Sequence, residues 1–182
     1  PWGIVLNLKG ERFVDEGEDF RNFTYAKFGR EVINQPKQVG WQIFDKKVRH
    51  MLYPEYDVKS ATMVKANSIK DLIFKIKGMN RSKALKTIFL YNNAVTKNIR
   101  FDPTIKDGKK TNGLKINKTN WANLIDKPPF YAYGVTCGIT FTFGGLKVNK
   151  SCQVLNKFRK PIKGLFAAGE IIGGIFYFNY PG

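Results

Sequence analysis

Short apolar runs separated by polar turns organise the first 45 residues of the chain. Residues 3–7 predict a strand, after which Gly10 takes a positive φ in a tight turn. Residues 12–15 would return as the second strand of a hairpin. The apolar run over 39–44 predicts a further strand.

Helical patterns occupy much of the next part of the chain. Apolar spacing predicts one helix over residues 24–33 and a shorter one over 46–53. Ser68 begins a capping box for a third helix. Either Asn80 or Ser82 caps the helix that follows it.

The pattern changes near Pro128, where strand-rich segments with frequent glycines begin. A Lys-rich polar stretch over 101–120 lies before this point and predicts a long surface loop. We therefore expect an α+β fold, with a first domain over residues 1–130 and a β-rich second domain over 131–182.

The last apolar strand, residues 164–169, ends beside a lone carboxylate, Glu170, and a glycine-rich run. Small residues at the end of a strand let another molecule approach the backbone closely. A carboxylate in such a place needs a hydrogen-bonding partner, such as a sugar-like hydroxyl. The pattern indicates half of a cofactor site, and its alternative is a buried strand followed by a glycine loop without function.

The net charge of +17 arises from 31 Lys and Arg residues against 14 Asp and Glu residues. Such an excess is typical of proteins that bind nucleic acids or anionic substrates, and also of proteins whose lysines simply face water. The basic residues are spread along the chain, and no arginine-rich helix, RNA-binding aromatic signature or zinc-ligand spacing appears. We therefore expect no nucleic-acid partner.

Cys137 and Cys152 are the only cysteines, and His50 is the only histidine. Two cysteines make no disulfide framework, which favours a reducing, cytoplasmic location, and one histidine excludes a His-rich metal site. No run approaches the ~20 apolar residues of a transmembrane helix, and no signal peptide is recognisable. Because the chain lacks a starting methionine, we expect both of its ends to be cuts in a longer protein.

Several longer motifs resemble flavoproteins of the fumarate reductase and succinate dehydrogenase superfamily. Residues 163–170 resemble the returning segment of that superfamily's flavin domain, and residues 10–16 resemble the hairpin of its capping domain. Five segments are similar to the FAD-dependent tricarballylate dehydrogenases: residues 11–30, 41–45, 118–123, 137–145 and 178–182.

The resemblance implies FAD as the cofactor. Glu170 would hydrogen-bond the ribityl hydroxyls of the flavin, with Ala168 and Gly169 directly before it. The residues beside the isoalloxazine ring and the substrate would be Thr142, Gly144 and Gly145.

Arg12 and Arg21 fall near the two arginines of the superfamily's capping domain, one of which moves a proton to or from the substrate carbon. Since the intrinsic pKa of arginine lies above ~12, it can do so only when it is pre-positioned and exchanges quickly with a relay. Arg21 is the candidate for this role. In the alternative interpretation both arginines form surface ion pairs with nearby carboxylates: Glu11, Asp15, Glu18 or Asp19.

The chain departs from fumarate reductases in two places. Phe141 stands where they carry a histidine, and the segment with Asn179 and Tyr180 stands where they carry an arginine that clamps a substrate carboxylate. Asn179 and Tyr180 would donate neutral hydrogen bonds to the substrate instead.

The sequence contains no Gly-x-Gly-x-x-Gly loop after a strand, which would bind the FAD pyrophosphate. We therefore expect a capping domain plus the C-terminal, returning part of a Rossmann-like FAD-binding domain. The predicted reaction oxidises a polycarboxylate such as tricarballylate to its alkene, cis-aconitate, with an electron-acceptor protein as partner. The alternatives are a fumarate reductase-like or ketosteroid dehydrogenase-like flavoprotein, and a non-catalytic module without FAD.

Overall fold

The computed structural model describes residues 1–139 and 142–177. Its larger sheet has four antiparallel strands in the order β1-β2-β4-β3: β1 (Ile4–Leu6), β2 (Gly40–Phe44), β3 (Met63–Ala66) and β4 (Phe130–Val135). A two-stranded antiparallel sheet pairs β5 (Gln153–Leu155) with β6 (Pro161–Phe166). The helices are α1 (Arg21–Ile33), α2 (Lys46–Arg49), α3 (Ile69–Lys75) and α4 (Arg81–Ala94). The mixed helix and sheet of the predicted α+β class is therefore confirmed.

The two faces of the larger sheet have different neighbours, because successive side chains of a strand point to opposite sides. On β2, Trp41 and Ile43 join the main hydrophobic core, which also contains Ile88 and Tyr91 of α4. Phe44 points to the other side and belongs to a smaller aromatic cluster. One face of the sheet is thus occupied by the core, and the other face is available to a site.

Local sequence signals located the starts of α3 and α4 and the turn at Gly10. Ser68 accepts a hydrogen bond from the N–H of Asp71 at 3.0 Å, which confirms its role as the N-cap of α3. Asn80 rather than Ser82 caps α4, since its side chain accepts from the N–H of Lys83 at 3.1 Å. The positive φ expected of Gly10 is confirmed at 77°.

The predicted return strand over residues 12–15 is wrong. Only a single β-bridge joins Leu6 to Arg12. The N–H of Val5, which a second strand would have used, donates instead to Oε1 of Glu16 at 2.8 Å. A buried carboxylate therefore takes the place of a strand along this part of β1.

Two helices differ in length from their predictions. The first, α1, begins three residues before the expected start, at Arg21, because Phe20 serves as its N-cap without any side-chain hydrogen bond and so gives no signal in the sequence. The predicted helix over 46–53 ends early, at Arg49. As expected, the polar segment over 101–120 carries no helix or strand among the described residues.

The predicted boundary between residues 130 and 131 falls inside β4. This strand pairs with both β2 and β3, so the larger sheet extends to Val135. The division into a capping domain and a flavin-binding domain stays a prediction. No helix among residues 1–139 and 142–177 is both long and apolar enough to cross a membrane.

Candidate functional site

A cavity of about 570 Å³ lies between α1 and the sheet face opposite the main core. We call it the α1 cavity. Gln42 and Phe44 of β2 form its floor, and the segment 51–56 closes one side. Phe143, from the glycine-rich segment that follows β4, also contributes to its lining. The volume is within the range of ordinary small-molecule sites.

Arg21 lies in the wall of the α1 cavity, on the first turn of α1. Its guanidinium carbon is 4.5 Å from the ring centroid of Tyr53, which also lines the cavity. Among the residues that the structure describes, no carboxylate lies within ion-pair distance of Arg21. The surface ion pair considered for Arg21 is therefore not formed with Glu11, Asp15, Glu18 or Asp19.

Tyr56 fixes the segment that carries Tyr53. Its hydroxyl donates to Oε1 of Gln42 at 2.6 Å, and its ring packs edge-on against Phe44 and Tyr133 at centroid distances of 5.9 and 4.9 Å. Burial raises the pKa of Tyr56, so this phenol stays protonated and keeps its hydrogen bond. The aromatic cluster thereby anchors one wall of the cavity to the sheet.

Arg12 has a different environment. Its Nε donates to Oε1 of Glu16 at 3.1 Å and its Nη1 to the carbonyl of Ile116 at 2.6 Å. The side chains of Arg12 and Glu16 are only 5% and 2% exposed. Burial opposes the charge of Arg12, but Glu16 outweighs it and raises the pKa of the guanidinium. The ion pair expected for Arg12 therefore exists, although it is buried and its partner is not one of the four carboxylates named from the sequence.

Lys118 is fully buried beside this pair. Its Nζ donates to the carbonyl of Gly3 at 2.6 Å and also to the carbonyl of Pro1. Burial lowers the pKa of the Lys118 ammonium to about 8, and the nearby carboxylate of Glu16 partly opposes that shift. Lys118 and Arg12 thus flank Glu16, whose carboxylate also reaches the α1 cavity.

Two parts of the predicted flavin site come together in the structure. The N–H of Thr142 donates to Oε1 of Glu170 at 3.1 Å. Four residues on, the N–H of Leu146 donates to the carbonyl of Ile171 at 2.8 Å. Gly145 makes this approach possible, since an added Cβ would lie 2.3 Å from the carbonyl oxygen of Ile171. The segments 142–146 and 169–173 therefore form one local unit.

Three glycines in or next to this unit have no close neighbour among the described residues. An added Cβ at Gly144, Gly169 or Gly174 would meet no atom of residues 1–139 and 142–177 within 4 Å. Ala168 directly precedes the 3-10 turn Gly169–Ile171, in which Glu170 lies exposed. Backbone and carboxylate are thus accessible to a ligand on this side. Phe141, Asn179 and Tyr180 lie outside the described residues.

The sequence analysis missed the aromatic side of the α1 cavity and the buried partner of Arg12. Tyr56 lies in the short 3-10 segment Pro54–Asp57, and Tyr53 is the N-cap of that segment, which carries no recognisable motif. Gln42 could have been found, because alternation along β2 places it opposite the core residues Trp41 and Ile43. Nothing in the sequence singled out Glu16 from the other carboxylates around it.

Comparison with known proteins gives consistent matches. A family model described as an FAD binding domain matches residues 1–182. A probable fumarate reductase of Shewanella frigidimarina is 30% identical over 97% of this chain, which covers 27% of that protein. The open conformation of a flavocytochrome c3 fumarate reductase superposes with a TM-score of 0.69 at 29% identity, covering 97% of this chain and 28% of that one.

A 3-ketosteroid Δ1-dehydrogenase from Sterolibacterium denitrificans, solved with 1,4-androstadiene-3,17-dione, superposes with a TM-score of 0.68 at 25% identity. The match covers 100% of this chain and 35% of that structure. The chain therefore spans only about a third or less of the length of these relatives.

Proposed function

Since this chain belongs to the family of FAD-binding domains, we propose that it is part of a longer flavin-dependent dehydrogenase acting on a small polycarboxylate. Its cofactor is FAD. The proposed reaction converts a C–C single bond of a substrate such as tricarballylate into the alkene, cis-aconitate. Residues 1–130 would act as the domain that closes over the substrate, and residues 131–182 as part of the flavin domain.

The unit formed by residues 142–146 and 169–173 has the right chemistry for the flavin. Glu170 is exposed and can accept hydrogen bonds from ribityl hydroxyls while it also holds the N–H of Thr142. The open backbone at Gly144 and Gly169 would admit a flat ring closely, since a side chain there is lacking. Ala168 lies close to Glu170 along the chain, and Gly145 directly follows Gly144. Both would therefore lie next to the bound flavin.

Arg21 is the proposed catalytic residue of the capping domain. When bound, FAD supplies the acceptor for the hydride that leaves one substrate carbon. The proton of the neighbouring carbon would go to a capping-domain base, for which Arg21 is the candidate. Because a protonated guanidinium cannot accept a proton, Arg21 would first have to pass one of its own protons to a relay. Arg12 would support this site only through Glu16, because its guanidinium is already held in a buried pair.

The observation that carries the proposal is a guanidinium in a cavity wall with no carboxylate partner among residues 1–139 and 142–177. A positive charge without an internal partner favours an anionic ligand, because the ligand then supplies the missing counter-charge. Asn179 and Tyr180 would add neutral hydrogen bonds to the substrate. An electron-acceptor protein would reoxidise the flavin.

A second candidate substrate is suggested by the lining of the α1 cavity. Trp2, Phe28, Phe44, Tyr53 and Tyr56 make much of its wall aromatic. Such a wall favours an apolar, ring-shaped substrate of the kind that a ketosteroid dehydrogenase oxidises. A fumarate reductase-like activity would take place in the same cavity but would reduce a C=C bond of the substrate instead of forming one.

The deciding experiment uses the purified protein that carries this chain. We expect the absorbance bands of an oxidised flavin, and their bleaching when tricarballylate is added without oxygen. Bleaching by a 3-ketosteroid instead would favour the second candidate, and oxidation of the reduced protein by fumarate would favour the reductase. A colourless protein that takes up no FAD would overturn the flavoenzyme proposal and leave a non-catalytic module.

A further inference from the structure

The contact between Arg21 and Tyr53 has a role of its own. We propose that Tyr53 is the positioning residue of Arg21: its ring face holds the guanidinium at the cavity wall and leaves the N–H donors of that group to the substrate. The proposal rests on the function proposed above for Arg21. It names a residue for which neither the sequence motifs nor the family match gives a role.

The geometry is that of a cation over an aromatic ring. The guanidinium carbon of Arg21 lies 4.5 Å from the ring centroid of Tyr53, inside the ~6 Å within which such pairs attract. A guanidinium stacked on a ring keeps its N–H groups pointing outward around its edge. In the part of the chain that the structure describes, no hydrogen bond uses a donor of the Arg21 side chain.

Arg12 shows what a carboxylate partner would do in the same molecule. Glu16 accepts from both Nε and Nη2 of Arg12, and carbonyl groups take further donors. Such an arginine is neutralised and its hydrogen-bonding capacity is used within the protein. A ring face holds a guanidinium without either effect, which is the arrangement that an arginine needs to meet an anionic ligand.

Three features fix the backbone of Tyr53 and the turn that follows it. Pro54 follows it and restricts it to an extended backbone, with φ −64° and ψ 156°. Its carbonyl accepts the N–H of Tyr56 at 3.0 Å, and Tyr56 is in turn bound to Gln42 and the aromatic cluster. Asp57, at the end of the same turn, pairs with Arg49 of α2. The Tyr53 ring therefore extends from an anchored backbone, which gives the long Arg21 side chain a fixed surface to lie on.

The test compares Tyr53→Leu with Tyr53→Phe in the flavin-loaded protein that carries this chain. With tricarballylate as substrate, we expect Tyr53→Leu to lower kcat roughly tenfold, because a displaced catalytic group loses reactive geometry. Tyr53→Phe keeps the ring face and should stay within about twofold of the parent. Phe89→Leu is the matched control, since Phe89 is an exposed aromatic residue on α4, beyond the opposite face of the sheet.

A second measurement observes Arg21 without turnover. In protein labelled with ¹³C,¹⁵N-arginine, the ring current of Tyr53 should shift the side-chain protons of Arg21 upfield, and Arg21→Lys assigns the signal. We expect Tyr53→Leu to remove this shift and Tyr53→Phe to keep it. An unchanged shift in Tyr53→Leu, or equal turnover of the Leu and Phe variants, would overturn the positioning role.

The two proposals can fail separately. If tricarballylate does not reduce the parent protein, the proposed substrate is wrong and the arginine spectrum alone decides the role of Tyr53. If Arg21→Lys leaves turnover unchanged while the parent is active, Arg21 is not the catalytic base and the positioning role falls with it.

Discussion

Arg12 and Arg21 carry the same functional group, but the structure places them in two different environments that the sequence did not distinguish. Both are surrounded by carboxylates along the chain, and both were open to the same two interpretations. Folding buries Arg12 with Glu16, whereas Arg21 reaches a cavity and a tyrosine ring from a position 32 residues away. Contacts between distant residues decide these roles, so spacing alone left them open.

The buried pair should be sensitive to the loss of one charge. Glu16→Gln leaves Arg12 buried without a counter-charge, and we expect the free energy of unfolding to fall by about 3 kcal/mol. Urea unfolding of the chain measures this change. Glu11→Gln is the control, because the ion pair of Glu11 with Lys83 is long at 3.4 Å and half-exposed; its loss should cost below about 1 kcal/mol. Equal losses in the two variants would contradict the importance of burial.

Secondary-structure elements were predictable where their signals are local. The cap of α3 was predicted correctly and that of α4 was limited to Asn80 or Ser82, because a capping side chain bonds to an N–H only three residues away. The prediction of a return strand after β1 was wrong because the side chain of Glu16 occupies the open edge of β1. The predicted start of α1 was three residues too late because Phe20 caps the helix without a polar side chain.

The contact between residues 142–146 and 169–173 depends on two glycines, Gly145 and Gly173, since an added Cβ at Gly173 would lie 2.6 Å from the nitrogen of Gly145. Gly145→Ala would place a methyl group 2.3 Å from the carbonyl oxygen of Ile171. We expect the two segments to separate and the free energy of unfolding to fall by about 1–3 kcal/mol, which thermal unfolding without added flavin would register. Gly144→Ala is the neighbouring control, since its methyl group meets no atom within 4 Å in the part of the chain that the structure describes. A stable Gly145→Ala protein with unchanged flavin affinity would show that this contact is dispensable.

At the scale of the whole molecule, the order of the strands creates the site. In the sheet order β1-β2-β4-β3, β4 begins at residue 130 and lies between β2 and β3, which both come much earlier in the sequence. Sequence patterns predicted strands at β1 and β2 and a strand-rich region around β4, but neither β3 nor this order, because pairing between distant strands leaves no local signal. The α1 cavity and its aromatic wall follow from that order, and so they also escaped prediction. Thr142, Gly145 and Glu170 were singled out by the resemblance to flavoproteins, but the contact between the segments 142–146 and 169–173 was not predicted, since it too joins distant parts of the chain.

Lys118 connects the long polar segment to the first residues of β1 across the molecule. Its pKa of about 8 lies below the ordinary 10.5, so the unfolded chain binds more protons between these values. The cost of burying the ammonium is present below pH 8 and disappears as the pH rises toward 10.5. Stability relative to Lys118→Met should therefore rise by about 3 kcal/mol over this range. Urea unfolding of both proteins from pH 7 upward measures it, and a flat difference would contradict the lowered pKa.

Glu16 belongs to the core and to the α1 cavity at once. Any substitution that changes what this carboxylate offers to a ligand also removes the counter-charge of Arg12 and the acceptor of Val5. Selection on ligand preference is therefore constrained on that side of the cavity. Met51 and Leu52, elsewhere in the lining of the cavity, carry no such dependence on the buried pair. Divergence in specificity, whether natural or engineered, should accumulate there first.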